Sequence, residues 1–410
     1  MSVNFSHIPK TINFRGTTTN PITKEIEIPE TEPDGNEIIL NWDSSSFDIC
    51  NYMFNDLWNL IEIDLSNFDI KCKNMRYMFG NNINLKKITF GDFDTSLYDD
   101  MNDLFINCKS LESLNLNNFR TNALTKIDSM FHNCISLTTL DLSNFNTENI
   151  NSMNKVFFQC NSLVSLNLNN WDTTSVKSMN KMFYGCSSLI SLNYFVTSLV
   201  EDMTSIFDSC KSLKYLEISH FVTSNVKTMN NMFANCQNLI SLNLLHFDTS
   251  QVTSMNNMFI RCRALTSLDL SNFDTSEVTS KKKMYESCNN LQFLDISNFN
   301  TQKVENMEIM FSGCYSLTSL DLSGFNTQLV RTLESMFYNC TTLTSLDLSN
   351  FDTSLVVNMQ RMFAECRNLI YLNILNFEEN TELDNTDMFL NIKGDLVYCI
   401  NDETNLIFLD

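Results

Sequence analysis

Eleven cysteines recur at one fixed place in this chain, three residues after an aromatic side chain, from Cys108 to Cys366. Thiols in such a series could pair as disulfides, hold a metal, or fill a core. If successive repeats stack as parallel strands do, neighbouring thiols stand about 5 Å apart, within disulfide reach. Parallel stacking aims every Cβ bond the same way, however, and equal spacing offers no natural pairing. Metal sites favour Cys-x-x-Cys pairs, and the sequence has none. The reading that fits is a column of small apolar plugs, with disulfide stapling and metal binding as the alternatives.

A second series is acidic: Asp269, Asp295, Asp321 and Asp347, each 26 residues from the last. Unit charges ~4.8 Å apart repel by about 0.9 kcal/mol per pair even in bulk water. A cation or a basic protein segment laid along them would relieve that repulsion, so these four form the candidate ligand-binding face. The blander reading is a solvated ladder inherited by duplication and screened by salt. Earlier repeats dilute the series with Asn115, Asn167, Asn193 and Asn243. His220 and His246 also occupy equivalent positions, but two imidazoles without a third ligand make a weak metal case. Lys281-Lys282-Lys283 is the only basic run. It reads as a solvated helix end, with a contact point as the alternative. No catalytic, cofactor or metal residues are assigned.

What positions these groups is a repeat. Aligned aromatic residues run from Phe54 to Phe389 in fourteen units, with a step of 26 nearly throughout. In one unit Val252, Met255, Met258, Phe259 and Cys262 are spaced by three or four, which predicts one face of a short helix. Ser250, Thr253 and Ser254 could cap its first turn. Leu265, Leu268 and Leu270 then shift to period two, so Asp269 and Ser271 should point out of a half-buried strand. Asn272-Phe273-Asp274-Thr275-Ser276 turns the chain back. So small a unit cannot bury a core alone, but stacked copies can. The expected fold is an α/β leucine-rich-repeat solenoid of period 26, with a parallel strand ladder on one face and short helices or irregular coil on the other. Phe273 and its equivalents stand where the usual template has Asn or Cys. The boundaries expected are an N-terminal cap over 1–45, partly irregular, about 14 solenoid units over 46–390, and a C-terminal cap over 391–410. Ile26-Glu-Ile-Pro and Glu32-Pro-Asp-Gly read as a strand and a turn in the first cap, and Leu396-Val-Tyr-Cys-Ile as a closing strand in the last.

The formal charge of −21 makes nucleic acid and anionic membranes poor partners and favours a soluble monomer. No stretch approaches the ~20 apolar residues of a membrane span. Met1 to Glu30 lacks a basic segment followed by an apolar run, and the C-terminus carries no lipidation box.

The unit Val-x-x-Met-x-x-Met-Phe-x-x-Cys-x-x-Leu-x-x-Leu-Asp-Leu-Ser-Asn-Phe-Asp-Thr-Ser, clearest at 252–276, 304–328 and 330–354, resembles the BspA-like leucine-rich-repeat surface proteins. The resemblance covers about residues 50–390. It implies adhesion to host or extracellular-matrix proteins and a surface or secreted location. Units of constant length build no pocket of unlike groups from irregular loops, which argues against an enzyme. The expectation is a non-enzymatic protein-binding solenoid whose partner is a basic, host or matrix protein. The alternative is an intracellular or viral scaffold or inhibitor using the same face.

Overall fold

The computed structural model describes residues 50–400 apart from 67–72, 92–94, 193–195, 379–380, 393 and 395, together with the backbone of five short strands upstream. It divides into two compact units, Met1–Val176 and Lys177–Asp410. In both, the chain is a leucine-rich-repeat solenoid in which each coil pairs with the next in parallel.

The strands are short because each coil offers only one Leu-x-Leu alternation. The first unit holds β1 (Ser2–Asn4), β2 (Thr11–Phe14), β3 (Thr17–Thr19), β4 (Glu25–Glu27), β5 (Ile38–Asn41), β6 (Glu62–Leu65), β7 (Lys87–Phe90), β8 (Thr139–Asp141) and β9 (Ser165–Asn167). The second holds β10 (Ser267–Asp269), β11 (Phe293–Asp295), β12 (Ser345–Asp347), β13 (Tyr371–Asn373) and β14 (Val397–Cys399). From β6 onward every pairing between described strands is parallel, with partners one coil apart, as in Leu268 opposite Leu294. Upstream the pairings are antiparallel: β1 with β4, and β2 with β3 and β5. The strand read at Ile26 is therefore β4, paired with β1 in a two-stranded antiparallel sheet, while the turn read at Glu32 to Gly35 lies outside the described residues. The strand read at Leu396 is β14, one more rung of the parallel ladder beside β13.

The opposite side of each coil corrects the helical reading. Among the described residues there is no helix. Between Met255 and Leu265 alternate amides do different things. Met258, Ile260, Cys262 and Leu265 each donate to the carbonyl three residues back, at 3.1 to 3.3 Å. Asn257, Phe259 and Arg261 donate instead to Lys282, Met284 and Glu286 of the next coil, at 2.7 to 3.0 Å. Left-handed backbone at Asn257 (φ 58°) and Arg261 (φ 57°) re-aims those amides along the stack. Such a residue costs about 1–2 kcal/mol, least for Asn and nothing for Gly, which fills the second site at Gly185 and Gly313. Packed helices stand 8–10 Å apart whereas strands stand ~4.8 Å apart, so a turn-built side matches the spacing of the sheet where helices would splay the coils. Ser250, Thr253 and Ser254 consequently cap nothing helical. Thr253 Oγ1 donates to Lys227 O at 3.2 Å and Ser254 Oγ to Asn230 Oδ1 at 2.7 Å, both one coil back.

Side chains satisfy the remaining carbonyls coil to coil. Each column cysteine is buried and outside any disulfide. Sγ of Cys262 donates to Phe233 O at 3.1 Å, and the same bond recurs from Cys108 to Phe79 and from Cys366 to Phe337. The plugs are thus also donors, which a purely apolar reading left out. The place of the usual Asn ladder is taken in two ways. Phe273 is buried and stacks on Phe247 at 6.5 Å, while Asn272, one residue earlier, donates to Leu244 O and Phe247 O of the preceding coil. His246 does the same work, its Nε2 lying 2.8 Å from Ile218 O. Below the turn runs a buried threonine column: Thr327 Oγ1 accepts from Asp352 N and donates to Asp352 O, both at 2.8 Å.

Candidate functional site

The outer face of the sheet follows from strand alternation. In β10 and β11, Leu268 and Leu294 are buried while Ser267, Asp269, Phe293 and Asp295 lie on the other side. Register sets Asp269 against Asp295 and Ser267 against Phe293. It likewise sets Asp347 against Asn373 and Ser345 against Tyr371. Asp321 and Asp347 are exposed and line one trough of about 360 Å³ with Ser319, Ser345 and Tyr371. Asp269 is half-buried and lines a second, of about 270 Å³, with Ser241, Asn243 and Ser267. The structure therefore brings the four carboxylates onto one open face.

Each carboxylate also has a local task. Oδ1 of Asp269 accepts from Ser271 N at 3.0 Å and Ser271 Oγ at 2.7 Å, closing the turn after the strand. Asp295 repeats both bonds with Ser297. Asp321 and Asp347 accept from Ser323 N and Ser349 N at 2.9 Å. The Ser271 hydroxyl and amide hold the Asp269 carboxyl below the usual carboxylate range. The amides and then the hydroxyls of Ser323 and Ser349 do so at Asp321 and Asp347. Groups depressed in this way contribute stability above the ordinary value of 3.8, and it is lost as pH falls through the folded value. Asparagines at the same position make the same bond: Asn243 Oδ1 accepts from Leu245 N at 3.2 Å and, one coil after Asp347, Asn373 Oδ1 accepts from Leu375 N at 3.3 Å. Changing all four aspartates to Asn should move the melting temperature little, because the amide oxygen keeps the turn bond while the charge that strengthens it and the repulsion along the column go together. Changing them to Ala should lower the stability, by about 0.5–1.5 kcal/mol per site. Equal melting of the two variants would remove the turn-closing role.

Lys281 requires a correction. It is not a solvated end but fully buried, in the column that holds Met255 and Met307, with Nζ 5.4 Å from the Phe299 ring centroid and without a hydrogen-bond partner. Its neighbours Lys282 and Lys283 end no helix and are only partly exposed: Lys282 pairs with Glu308 at 2.7 Å and Lys283 with Glu286 at 3.9 Å. A further feature escaped the sequence reading. At the strand's first position Tyr215, Phe293 and Tyr371 are exposed where the coils between them carry Ser. The visible signal was the broken Ser column. Among the described residues, no three His, Cys, Asp or Glu side chains are placed to hold a metal ion, and no helix is long and apolar enough to cross a membrane.

Among solved structures, the chain is similar to a leucine-rich repeat protein from Bacteroides ovatus, at 16% identity and TM-score 0.49, covering 97% of this chain and 100% of that one. It is similar to another from Eubacterium ventriosum, at 16% identity and TM-score 0.44, covering 96% and 95%. A leucine rich cell surface protein from Faecalibacterium prausnitzii matches at 16% identity and TM-score 0.41, covering 84% and 91%. No curated protein matches the chain. One family model matches it four times in succession, over residues 19–112, 99–216, 201–317 and 282–395, in keeping with its repeated coils. The chain belongs to the family described as Mycoplasma protein of unknown function, DUF285.

Proposed function

We propose that this chain is a non-catalytic, protein-binding solenoid, displayed on the cell surface or secreted, that holds a basic segment of a host or matrix protein. The observation that carries the reading is the column Asp269, Asp295, Asp321 and Asp347 on an open face beside two troughs. From Tyr215 to Asn373 the two outward strand columns contain no Lys, Arg or His. A cationic partner would gain on-rate and selectivity from that field. Cys50 is disulfide-bonded, which supports an oxidising compartment over an intracellular scaffold.

The test immobilises the full chain and its fourfold Asp→Asn variant and passes solubilised matrix proteins over both. The expected result is retention of basic proteins by the parent at low salt, release by ~200 mM salt, and loss of retention in the variant. Equal retention by both, or turnover of any matrix component, would overturn the reading.

A further inference from the structure

The exposed rings follow a rule of their own. At the strand's first position the second unit reads Tyr215, Ser241, Ser267, Phe293, Ser319, Ser345, Tyr371, each 26 residues from the last. An aromatic ring thus returns every third coil, with two serines between. Tyr215, Phe293 and Tyr371 are 65%, 56% and 37% exposed. The two troughs fall in the two gaps: one is lined by Ser241 and Ser267, the other by Ser319 and Ser345. Carboxylates at Asp269, Asp321 and Asp347 stand along the same gaps.

Three coil steps at ~4.8 Å put successive rings about 14 Å apart. Four residues of extended peptide, at ~3.4 Å each, span the same distance, and an even separation keeps their side chains on one face. Residues midway between would fall over the serine floors. An exposed aromatic face attracts a guanidinium or ammonium within about 6 Å of its centroid, and a neighbouring carboxylate adds to that attraction. We propose that the outer face from Tyr215 to Tyr371 reads an extended cationic peptide laid across the strands, with Arg or Lys at every fourth residue seated on the three rings and small side chains in the troughs. The proposal rests on the acidic-face reading above and adds a register to it.

The probe is a nine-residue peptide of Arg, Ser and Gly with Arg at its first, fifth and ninth places, set against an isomer of the same composition with Arg at the first, fourth and seventh. The full chain should bind the first at least tenfold more tightly. Phe293→Ser, which installs the residue the adjoining coils carry at Ser267 and Ser319, should cost about tenfold for the first peptide and little for the isomer. Circular dichroism of that variant should match the parent. Equal binding of both peptides, with loss in the fourfold Asp→Asn variant, overturns the register while leaving the acidic face intact. Binding of neither peptide also overturns the register, and retention of matrix proteins then judges the broader reading alone. Salt-independent binding of a neutral β-linked oligosaccharide, blocked by Phe293→Ser, would overturn the cationic partner itself.

Discussion

Lys281→Met should make this protein markedly more stable at neutral pH, by about 5 kcal/mol as an upper estimate. The side chain fills a slot that Met255 and Met307 fill in the adjoining coils, and its Nζ has no hydrogen-bond partner. Burial alone pulls the ammonium from 10.5 down to about 7. The Phe299 face offers a desolvated cation about 2 kcal/mol, less than the several it costs to strip its water. The unfolded chain holds the extra proton between about pH 7 and 10.5, so the penalty is complete below 7 and eases as pH rises through that window. Urea titrations of both proteins should show the advantage of Met shrinking about tenfold in the unfolding constant per pH unit from 7 to 9. Tyr285→Phe should add to it, since the buried Tyr285 hydroxyl also lacks a partner. An unchanged or lowered midpoint for Lys281→Met would mean that the amine is satisfied in solution.

The second large effect is collapse in alkali. Burial pushes the thiols of Cys108, Cys160, Cys288 and Cys366 up to about 12, and raises Cys134, Cys210, Cys236, Cys262, Cys314 and Cys340 as well. An unfolded thiol ionises near 9.0. Stability from this column is therefore complete below pH 9 and is lost as pH rises towards the folded values. Each thiol contributes up to about 1.4 kcal/mol per pH unit, so ten together remove about 14. At about 0.05–0.15 kcal/mol per residue the chain holds roughly 20–60 kcal/mol, and two units of pH remove the lower part of that range. Circular dichroism in reducing buffer should show steep unfolding between about pH 10 and 11.5. Cys262→Ala should lower the steepness by one proton. A fold intact at pH 12 would contradict the buried column.

The strand ladder and the outward aspartates were legible because Leu268-Asp269-Leu270 admits only one alternation. The turn-built side was not, since spacing by three and four fits consecutive turns as well as a helix. The clue lay in the interior: Asn231, Asn257, Gly185 and Gly313 sit where a helix former would be expected, and these are the residues that tolerate a left-handed backbone. Lys281 was misread because three adjacent lysines suggest water, while alignment with Met255 and Met307 places the first of them in the core. The threonine column from Thr121 to Thr353 was equally visible as a repeat. Its carbonyl partners 25 residues on, such as Asn300 for Thr275, belong to the stacking and not to any local pattern.

Because donors throughout each unit meet acceptors one coil away, residues 319–344 could be cut out and the seam would rejoin like with like, Ser345 following Thr318 as Ser319 did. Chain length in this architecture is a copy number, adjustable in whole coils at little cost to the fold. The outer face does not share that freedom. The same excision would leave Phe293 and Tyr371 two steps apart instead of three, about 10 Å, and a partner measured against the longer interval would no longer fit. Duplication and loss can therefore retune what such a chain recognises without altering a single side chain.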